Sequence, residues 1–316
     1  MRILVTGGCG YVGSVLVPRL LNQGHQVRVI DYQWFGNFLP DHPALEVYKK
    51  TIHSMELRDL EGIEVIVHLA NVANDPSVEL NPNFSWEVNV LHTTELLELC
   101  KRSKSIKKFI FASSGSVYGV KSELNVTEDL SMVPISTYNK TKMSAERVCL
   151  SYTNNFNVIC IRPATVCGIS PRMRFDVVVN MFVLQAYINK KITVLGGQQI
   201  RPNIHIEDMA AVYEHFLSND NLSSGIYNAG FENISVMDIA RLVQKAFDIP
   251  IEIKPSNDPR SYRQDSSKLI ASGFNPMKSV LNAIMEISQG LKNGQIKDND
   301  RWHTVKWMKS QKIGLS

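Results

Sequence analysis

Tyr138 and Lys142 lie four residues apart in the sequence. A phenol and an ammonium group at this spacing could together transfer a proton. On a helix this spacing places them on the same face, one turn from each other. A tyrosine has a pKa of about 10 and is a poor base at neutral pH, but an adjacent cation stabilises the phenolate and lowers that pKa. The pair therefore predicts a base, Tyr138, activated by the ammonium of Lys142. Because such pairs also occur by chance on surface helices, the prediction depends on the rest of the chain.

A glycine-rich turn, residues 7–13, follows a short aliphatic run near the start of the sequence. After the turn, valines and leucines recur at helical spacing, so the pattern predicts strand, turn and helix. Glycines lack a Cβ, which lets the backbone turn tightly and approach a pyrophosphate whose charge is met by amides at the helix N-terminus. The predicted cofactor contacts in this turn are Gly7, Gly10, Tyr11, Val12 and Gly13.

An acidic residue, Asp31, ends the second predicted strand, residues 26–30. A carboxylate at this position can accept hydrogen bonds from both hydroxyls of an adenosine ribose, and it repels a 2′-phosphate. The sequence therefore predicts NAD as the cofactor in preference to NADP.

Strands and helices alternate over the first half of the chain. Further strands are predicted over 45–52, 64–70, 109–112 and 157–162, and helices over 82–100 and 136–154. This alternation predicts an α/β protein with a Rossmann-type doubly wound parallel sheet, which binds ligands beyond the carboxyl ends of its strands. Helices in the second half are predicted near 176–189, 207–217, 236–247 and 277–291. We expect an NAD-binding domain over 1–165, which carries the Tyr138 helix, and a smaller nucleotide-sugar-binding lobe over 166–316 that is interleaved with the last sheet strands.

Composition excludes several classes of protein. The 316 residues are 44% hydrophobic and 20% charged, and the formal net charge is only +4 without a basic block. Nucleic acid is therefore not the expected partner, although a small positive charge suits an anionic small molecule. No signal segment or membrane span is predicted, so we expect a soluble cytoplasmic protein. Five cysteines without a CxxC pair predict a reduced compartment, with neither a disulfide framework nor a metal site.

Together these motifs resemble those of the extended short-chain dehydrogenase/reductases, in the nucleotide-sugar epimerase and dehydratase branch, over nearly the whole chain. The residues that carry the resemblance are the glycine turn, Asp31, His68-Leu69-Ala70, Asn89, Ser114, Tyr138 and Lys142. The resemblance implies three catalytic roles: Ser114 polarises a sugar hydroxyl, Tyr138 is the base, and Lys142 holds the nicotinamide ribose while stabilising the phenolate. It also implies a homodimer.

Further contacts are implied by the same resemblance. Those with NAD are Ile52, Leu69, Ala70, Asn71, Asn89, Ser113, Pro163 and Thr165, in addition to Tyr138 and Lys142. Those with the substrate are Ser114 and Ser116 at the sugar and Asn180, Arg201, Arg260 and Arg263 at the diphosphate. Arg172 and Arg174 border the sugar in relatives, but in a polar loop we expect both side chains to be solvated. Relatives usually have an aspartate at the position of Thr51 that contacts the adenine, so NAD is expected to bind less tightly here.

Two positions, Gly115 and Ser116, separate the branches of this family. Sugar-nucleotide dehydratases have an Asp-Glu pair there, and decarboxylases have a glutamate, whereas this chain has no carboxylic acid at either position. The reading that follows is an NAD-dependent epimerase acting at C4 through a 4-keto intermediate. A 4-keto-sugar reductase that uses the same residues is the alternative, and a non-catalytic NAD-sensing scaffold is a third hypothesis. The nucleotide base and the sugar stay open.

Overall fold

Short aliphatic and β-branched runs form the strands of the protein, whose computed structural model describes residues 1–256 and 261–315. The strands are β1 (Arg2–Thr6), β2 (Gln26–Asp31), β3 (Leu45–Lys49), β4 (Val65–His68), β5 (Lys108–Ala112), β6 (Asn157–Pro163), β7 (Thr165–Cys167), β8 (Ile192–Leu195), β9 (Ile200–His205), β10 (Gly225–Ala229), β11 (Glu232–Ser235) and β12 (Ile251–Lys254). Seven of them form a parallel sheet in the order β3-β2-β1-β4-β5-β6-β10. The strand order reverses between β1 and β4, which confirms the predicted Rossmann-type doubly wound fold.

Helices cover both faces of this sheet. They are α1 (Gly13–Asn22), α2 (Asp75–Val78), α3 (Pro82–Trp86), α4 (His92–Ser103), α5 (Thr137–Leu150), α6 (Val178–Asn189), α7 (Ile206–Ser218), α8 (Val236–Phe247), α9 (Ser267–Ala271), α10 (Val280–Lys292) and α11 (Thr304–Ser310). Alternate strand residues enter different cores: Ile3 and Val5 pack with α1 and α7, whereas Leu4 packs with α4 and α5. Both faces of the strands are buried, as expected for a parallel sheet between two helical layers.

The helix predicted over 82–100 is interrupted by a π-helical turn, Glu87–Leu91, between α3 and α4. A π turn inserts an extra residue into a helix and is often found at functional sites. Here it contains the buried Asn89, whose side chain accepts from Val72 N at 2.7 Å and donates to Val72 O at 3.1 Å and to Thr141 Oγ1 at 3.1 Å. Asn89 thus joins the loop after β4 to α5, which carries Tyr138.

The second half of the chain forms two smaller sheets and returns once to the large one. One sheet contains β7, β9 and β11, the other β8 and β12, and α6 packs against α8 and α10 beside them. Strand β10 pairs with β6 and completes the large sheet. Asp208 accepts from the amides of Met277 and Lys278 at 3.0 and 2.9 Å, which connects α7 to the chain entering α10. All five cysteines are free and buried.

Strand β3 and the C-terminal tail differ from what the sequence indicates. Strand β3 ends at Lys49 rather than at residue 52, because the chain turns at residues 51–54, where Ser54 N donates to Thr51 Oγ1 at 3.2 Å. The polar tail, for which no structure was predicted, forms a 3-10 turn, Asp300–Trp302, and the short helix α11. Over the described ranges, the helices are too short or too polar to cross a bilayer.

Candidate functional site

A cavity of about 1000 Å³ opens beyond the carboxyl ends of β1, β2, β4 and β5. Fifteen of the predicted cofactor contacts line it: Gly7, Gly10, Tyr11, Val12, Gly13, Asp31, Ile52, Leu69, Ala70, Asn71, Ser113, Tyr138, Lys142, Pro163 and Thr165. The predicted substrate contacts Ser114, Ser116 and Arg201 line it as well. Cofactor and substrate residues therefore share one space.

At two positions of the glycine turn, Gly7 and Gly13, there is no room for a side chain. Gly7 has φ +71°, and a Cβ there would lie 2.6 Å from the backbone N of Ala70. A Cβ on Gly13 would lie 2.5 Å from the carbonyl oxygen of Gly8. The turn can therefore pack directly against the end of β4 and open into α1 at the edge of the cavity. This close backbone packing at a helix N-terminus is what a dinucleotide pyrophosphate requires.

Asp31 lies at the end of β2 with both carboxylate oxygens engaged. One accepts from Cys9 N at 2.9 Å and the other from Gln33 N at 2.6 Å. Burial raises the pKa of this carboxyl, while the two amide bonds and the charge of Arg172 oppose the rise. Each oxygen has a second lone pair, so the carboxylate can still accept from ribose hydroxyls. The site therefore fits the adenosine half of NAD.

Ser114 and Tyr138 meet at the inner end of the cavity, and Lys142 lies one helical turn beyond the tyrosine. Ser114 caps the 3-10 turn Gly115–Tyr118 by accepting from Ser116 N at 3.2 Å, and its hydroxyl lies 2.7 Å from Ser116 Oγ and near enough to Tyr138 to lower the pKa of the phenol. Ser136 caps α5 by accepting from Asn139 N at 3.2 Å, which fixes where the helix begins. Tyr138 consequently stands in the first turn of α5, and the predicted catalytic residues come together.

The prediction that Lys142 depresses the pKa of Tyr138 is wrong for this arrangement. Burial raises the pKa of Tyr138 to about 12, and the hydrogen bond with Ser114 opposes the rise. Lys142 instead donates from Nζ to the carbonyl oxygen of Ala112 at 2.7 Å, with Nζ 5.0 Å from the ring centre of Phe111. Burial lowers the pKa of Lys142 to about 7. Burial is the largest cause of both shifts because it disfavours the charged form of each enclosed group.

A buried ion pair, Arg162 with Glu146, supports these residues. The guanidinium donates to the two carboxylate oxygens at 2.6 and 3.0 Å, and the side chains are 1% and 0% exposed. Ser113 Oγ also donates to Glu146, at 2.6 Å, and Arg162 donates to Tyr118 OH at 2.6 Å. The pair thereby joins β6, α5 and the chain that leaves β5. This ion pair could not be predicted from the sequence, because neither residue belongs to a local motif.

Arg172 and Arg174 are not solvated, contrary to expectation. Arg174 forms two bonds with Asp176, at 2.9 and 3.0 Å. Arg172 is 3% exposed, lies 3.8 Å above the ring of Phe35, and donates to Thr304 Oγ1 at 3.4 Å. Burial lowers the pKa of Arg172 to about 9, and within the described chain its Nε has no hydrogen-bond partner. Both guanidiniums line the cavity, so they are positive groups available to an anionic ligand.

The C-terminal segment, residues 304–314, covers one side of the cavity. Trp307 Nε1 donates to Trp34 O at 2.6 Å, and Asn81 Nδ2 donates to Gly314 O at 2.7 Å. The residues of this segment that line the cavity are Thr304, Met308, Gln311, Lys312, Ile313 and Gly314. No role for this segment could be predicted from the sequence. Two tryptophans, Trp302 and Trp307, are unusual in an otherwise polar tail and indicate that it packs against the protein.

Three of the predicted contacts, all among the described residues, are not part of the cavity wall. Asn89 supports α5 from behind, as described above. Asn180 is fully buried: it donates to Tyr11 OH at 2.9 Å and to Arg174 O at 2.8 Å, and it accepts from Gly168 N at 3.1 Å, so it stabilises the wall. Arg263 is exposed and is not among the residues that line the cavity. Arg260 lies outside the residues that the structure describes.

Comparison with known proteins agrees with this geometry. Residues 3–230 match the NAD dependent epimerase/dehydratase family. The chain is 33% identical over 263 residues to YtcB of Bacillus subtilis, named as an uncharacterised UDP-glucose epimerase, which covers 77% of this chain and 81% of that protein. It is 27% identical over 300 residues to the UDP-glucose 4-epimerase of Lactobacillus helveticus, covering 85% and 89% of the two chains.

A solved structure is also similar. The UDP-glucuronic acid 4-epimerase of Bacillus cereus, in complex with UDP-glucuronic acid and NAD, superposes with a TM-score of 0.80 at 28% identity and covers 93% of this chain and 99% of its own. The match spans both the large sheet and the smaller lobe. The chain therefore belongs to the NAD-dependent epimerase/dehydratase family, whose cofactor is the NAD that the sequence predicts.

Proposed function

We propose that the protein is an NAD-dependent epimerase that inverts C4 of a nucleotide-activated sugar through a transient 4-keto intermediate. The observation that carries this proposal is that Ser114 and Tyr138 line one cavity with Asp31 and the glycine turn, with Ser114 near enough to the phenol to lower its pKa. A hydroxyl bound between a serine and a tyrosine can lose its proton to one and keep a hydrogen bond from the other.

Each residue then has a defined role. Tyr138 takes the proton of the C4 hydroxyl and returns it when the ketone is reduced. Ser114 donates a hydrogen bond to the C4 oxygen as it becomes a carbonyl. Bound NAD supplies the hydride acceptor for the oxidation and the hydride donor for its reversal. Lys142, one helical turn beyond Tyr138, is the residue that the family resemblance assigns to the nicotinamide ribose.

The raised pKa of Tyr138 makes this base dependent on its surroundings. At a pKa of about 12 the phenol is almost wholly protonated near pH 7. The hydrogen bond from Ser114 and the charge of Arg174 lower that pKa. Lys142 donates to the carbonyl of Ala112, so Ser114 and Arg174 are the neighbours that favour the phenolate in this arrangement.

Gly115 and Ser116 favour epimerisation over loss of water. A Cβ on Gly115 would lie 2.9 Å from Gln264 Oε1 and 3.1 Å from Pro163 O, so a carboxylic acid at this position would require these neighbours to shift. Ser116 donates to Asn139 Oδ1 at 2.7 Å and lies against Ser114, which makes it a hydrogen-bonding group rather than an acid. Elimination needs an additional acid and base that these positions do not supply.

The substrate that we propose is a UDP-sugar. The Lactobacillus helveticus and Bacillus cereus relatives are named for UDP-glucose and UDP-glucuronic acid, respectively. Arg201 on β9 lines the cavity and suits a diphosphate, because a guanidinium can donate two parallel hydrogen bonds to phosphate oxygens. Asn180 and Arg263 are not proposed as diphosphate ligands, because Asn180 supports the cavity wall and Arg263 is exposed.

A 4-keto-sugar reductase is the second candidate. It would use Ser114, Tyr138 and Lys142 in the same roles but would consume reduced cofactor in each turnover. Asp31 disfavours NADPH, which many biosynthetic reductases prefer. A non-catalytic scaffold is expected to lose part of the catalytic set, whereas this chain keeps all three residues in one cavity.

The deciding experiment is incubation of the protein with UDP-, GDP-, dTDP- and CDP-sugars and a trace of NAD, followed by chromatography and mass spectrometry. A new product of unchanged mass from a UDP-sugar, absent with Tyr138→Phe, supports the proposal. A product lighter by one water would contradict the reading of Gly115 and Ser116. NADH consumption only with 4-keto sugars would favour the reductase, and bound NAD without turnover of either substrate class would favour the scaffold.

We also propose a homodimer, as the resemblance to the family implies. Leu91, at the end of the π turn beside α4, is 58% exposed and offers an apolar contact. Sedimentation velocity of the wild type and Leu91→Glu tests this: a dimer that the substitution weakens supports the proposal, and a monomeric wild type rejects it.

A further inference from the structure

Three potential metal ligands meet where the turn after β3 contacts the first turn of α4. They are His53, His92 and Glu95, and one ligand atom from each lies within 4.8 Å of the other two. His53 Nδ1 is 3.0 Å from the Glu95 carboxylate, and the two imidazole rings face each other with centres 5.2 Å apart. This cluster is separate from Ser114 and Tyr138 and takes no part in the proposed epimerisation.

The cluster has the chemistry of a transition-metal site. His92 and Glu95 are three residues apart on one helical face, and His53 approaches from the turn opposite. Two imidazole nitrogens and one carboxylate oxygen suit zinc and its neighbours rather than calcium or magnesium, which prefer oxygen ligands. A water molecule would occupy the fourth position.

The geometry requires a small closure. Ligand atoms around a tetrahedral zinc ion lie about 3.4 Å apart, given bond lengths of about 2.1 Å. The side chains of His53 and Glu95 are 67% and 46% exposed, so both can rotate toward an ion. Surface ion pairs of this exposure contribute little stability. His92 Nε2 also has an acidic neighbour, Glu87, at 3.5 Å.

We propose that His53, His92 and Glu95 bind a divalent transition metal ion of the zinc class at the adenosine end of the cofactor cavity. Thr51 and Ile52 of the turn and His92 of α4 also line that cavity. An ion that joins the turn to the helix would fix the part of the wall where relatives have the adenine-binding aspartate and this chain has Thr51. The ion would be structural, with no role in proton or hydride transfer.

The test is titration of Zn²⁺ into protein that carries no polyhistidine tag and has been treated with a chelator, measured by calorimetry, with Co²⁺ absorption as a probe of coordination. We expect one ion per chain in the wild type. Because loss of an outer-shell partner already weakens metal binding about 10- to 100-fold, loss of a ligand in His53→Ala should weaken it at least about 100-fold. Glu95→Gln should also weaken binding, and His42→Ala, at an exposed histidine outside the cluster, should leave it unchanged.

Hydrogen–deuterium exchange separates a built site from general surface binding. Zn²⁺ should slow exchange of the amides at 51–54 in the wild type and not in His53→Ala. Binding that is equally tight in His53→Ala, that falls equally in His42→Ala, or that is absent from the wild type would overturn the proposal. These measurements do not depend on sugar turnover, so they stand whether or not the protein is an epimerase.

Discussion

Replacing the buried lysine by a neutral residue, Lys142→Met, should make the protein more stable and inactive. The pKa of Lys142 falls from 10.5 to about 7, and each pKa unit corresponds to about 1.4 kcal/mol, so a buried ammonium disfavours folding by up to about 5 kcal/mol. Methionine keeps most of the stem that packs on Phe111. It also leaves the carbonyl of Ala112 without the lysine donor, which costs about 1–3 kcal/mol. We expect a net gain of up to about 2–4 kcal/mol at pH 7.

The pH dependence gives this prediction a distinct signature. The pKa of Lys142 is lower in the folded than in the unfolded protein, so below about pH 7 both states hold the proton and the full penalty applies. As the pH rises toward 10.5, the folded state has released its proton and the unfolded state has not. The stability of the wild type therefore rises over this range relative to Lys142→Met, and the difference between the two proteins shrinks.

Denaturant unfolding of NAD-free protein at pH 7, 8, 9 and 10 measures this difference. Lys140→Met, an exposed position on the same helix, is the matched control and should change stability by no more than about 0.5 kcal/mol at every pH. Two results would contradict this prediction. One is a Lys142→Met variant that is less stable than the wild type at pH 7, and the other is a gain in the free energy of unfolding that is the same at pH 7 and pH 10.

Three further substitutions test other parts of the site. Tyr138→Phe should reduce turnover by about 1000-fold, because it removes the base, while NAD affinity measured by fluorescence titration stays within about twofold. Asp31→Ala should weaken NAD at least about tenfold and narrow its advantage over NADP; equal preference in wild type and variant would show that Asp31 is not at the ribose. Arg162→Met should lower the free energy of unfolding by about 3–5 kcal/mol, because Glu146 is left buried and unpaired; a denaturation curve like that of the wild type would contradict this role.

Local patterns account for what the sequence predicted correctly. The sheet follows from apolar runs such as residues 64–70, whose burial on both faces requires a parallel arrangement. Asp31 and the glycine turn were found because each lies at a strand end, and parallel strands bring their carboxyl ends to one edge. Ser114 and Tyr138 are distant in sequence, yet the resemblance to a family with these motifs in order placed them together.

What the sequence could not supply depends on contacts between distant segments. Arg172 is buried because Phe35 and Thr304 enclose it, and nothing in its own loop indicates either neighbour. The pKa of Tyr138 is set by how deeply the phenol is enclosed, which the spacing to Lys142 does not reveal. The π turn near Asn89 is also invisible in the apolar periodicity, because it changes the backbone over five residues only.

The C-terminal cover ties cofactor binding to the order in which the chain is made. The glycine turn and Asp31 emerge from the ribosome early, whereas the residues that close the cavity emerge last among those described; Trp307 follows its partner Trp34 by 273 positions. A nascent chain thus contains every strand of the large sheet before it contains residues 304–314. A chain cut short before that point would keep these strands but leave one side of the cavity uncovered.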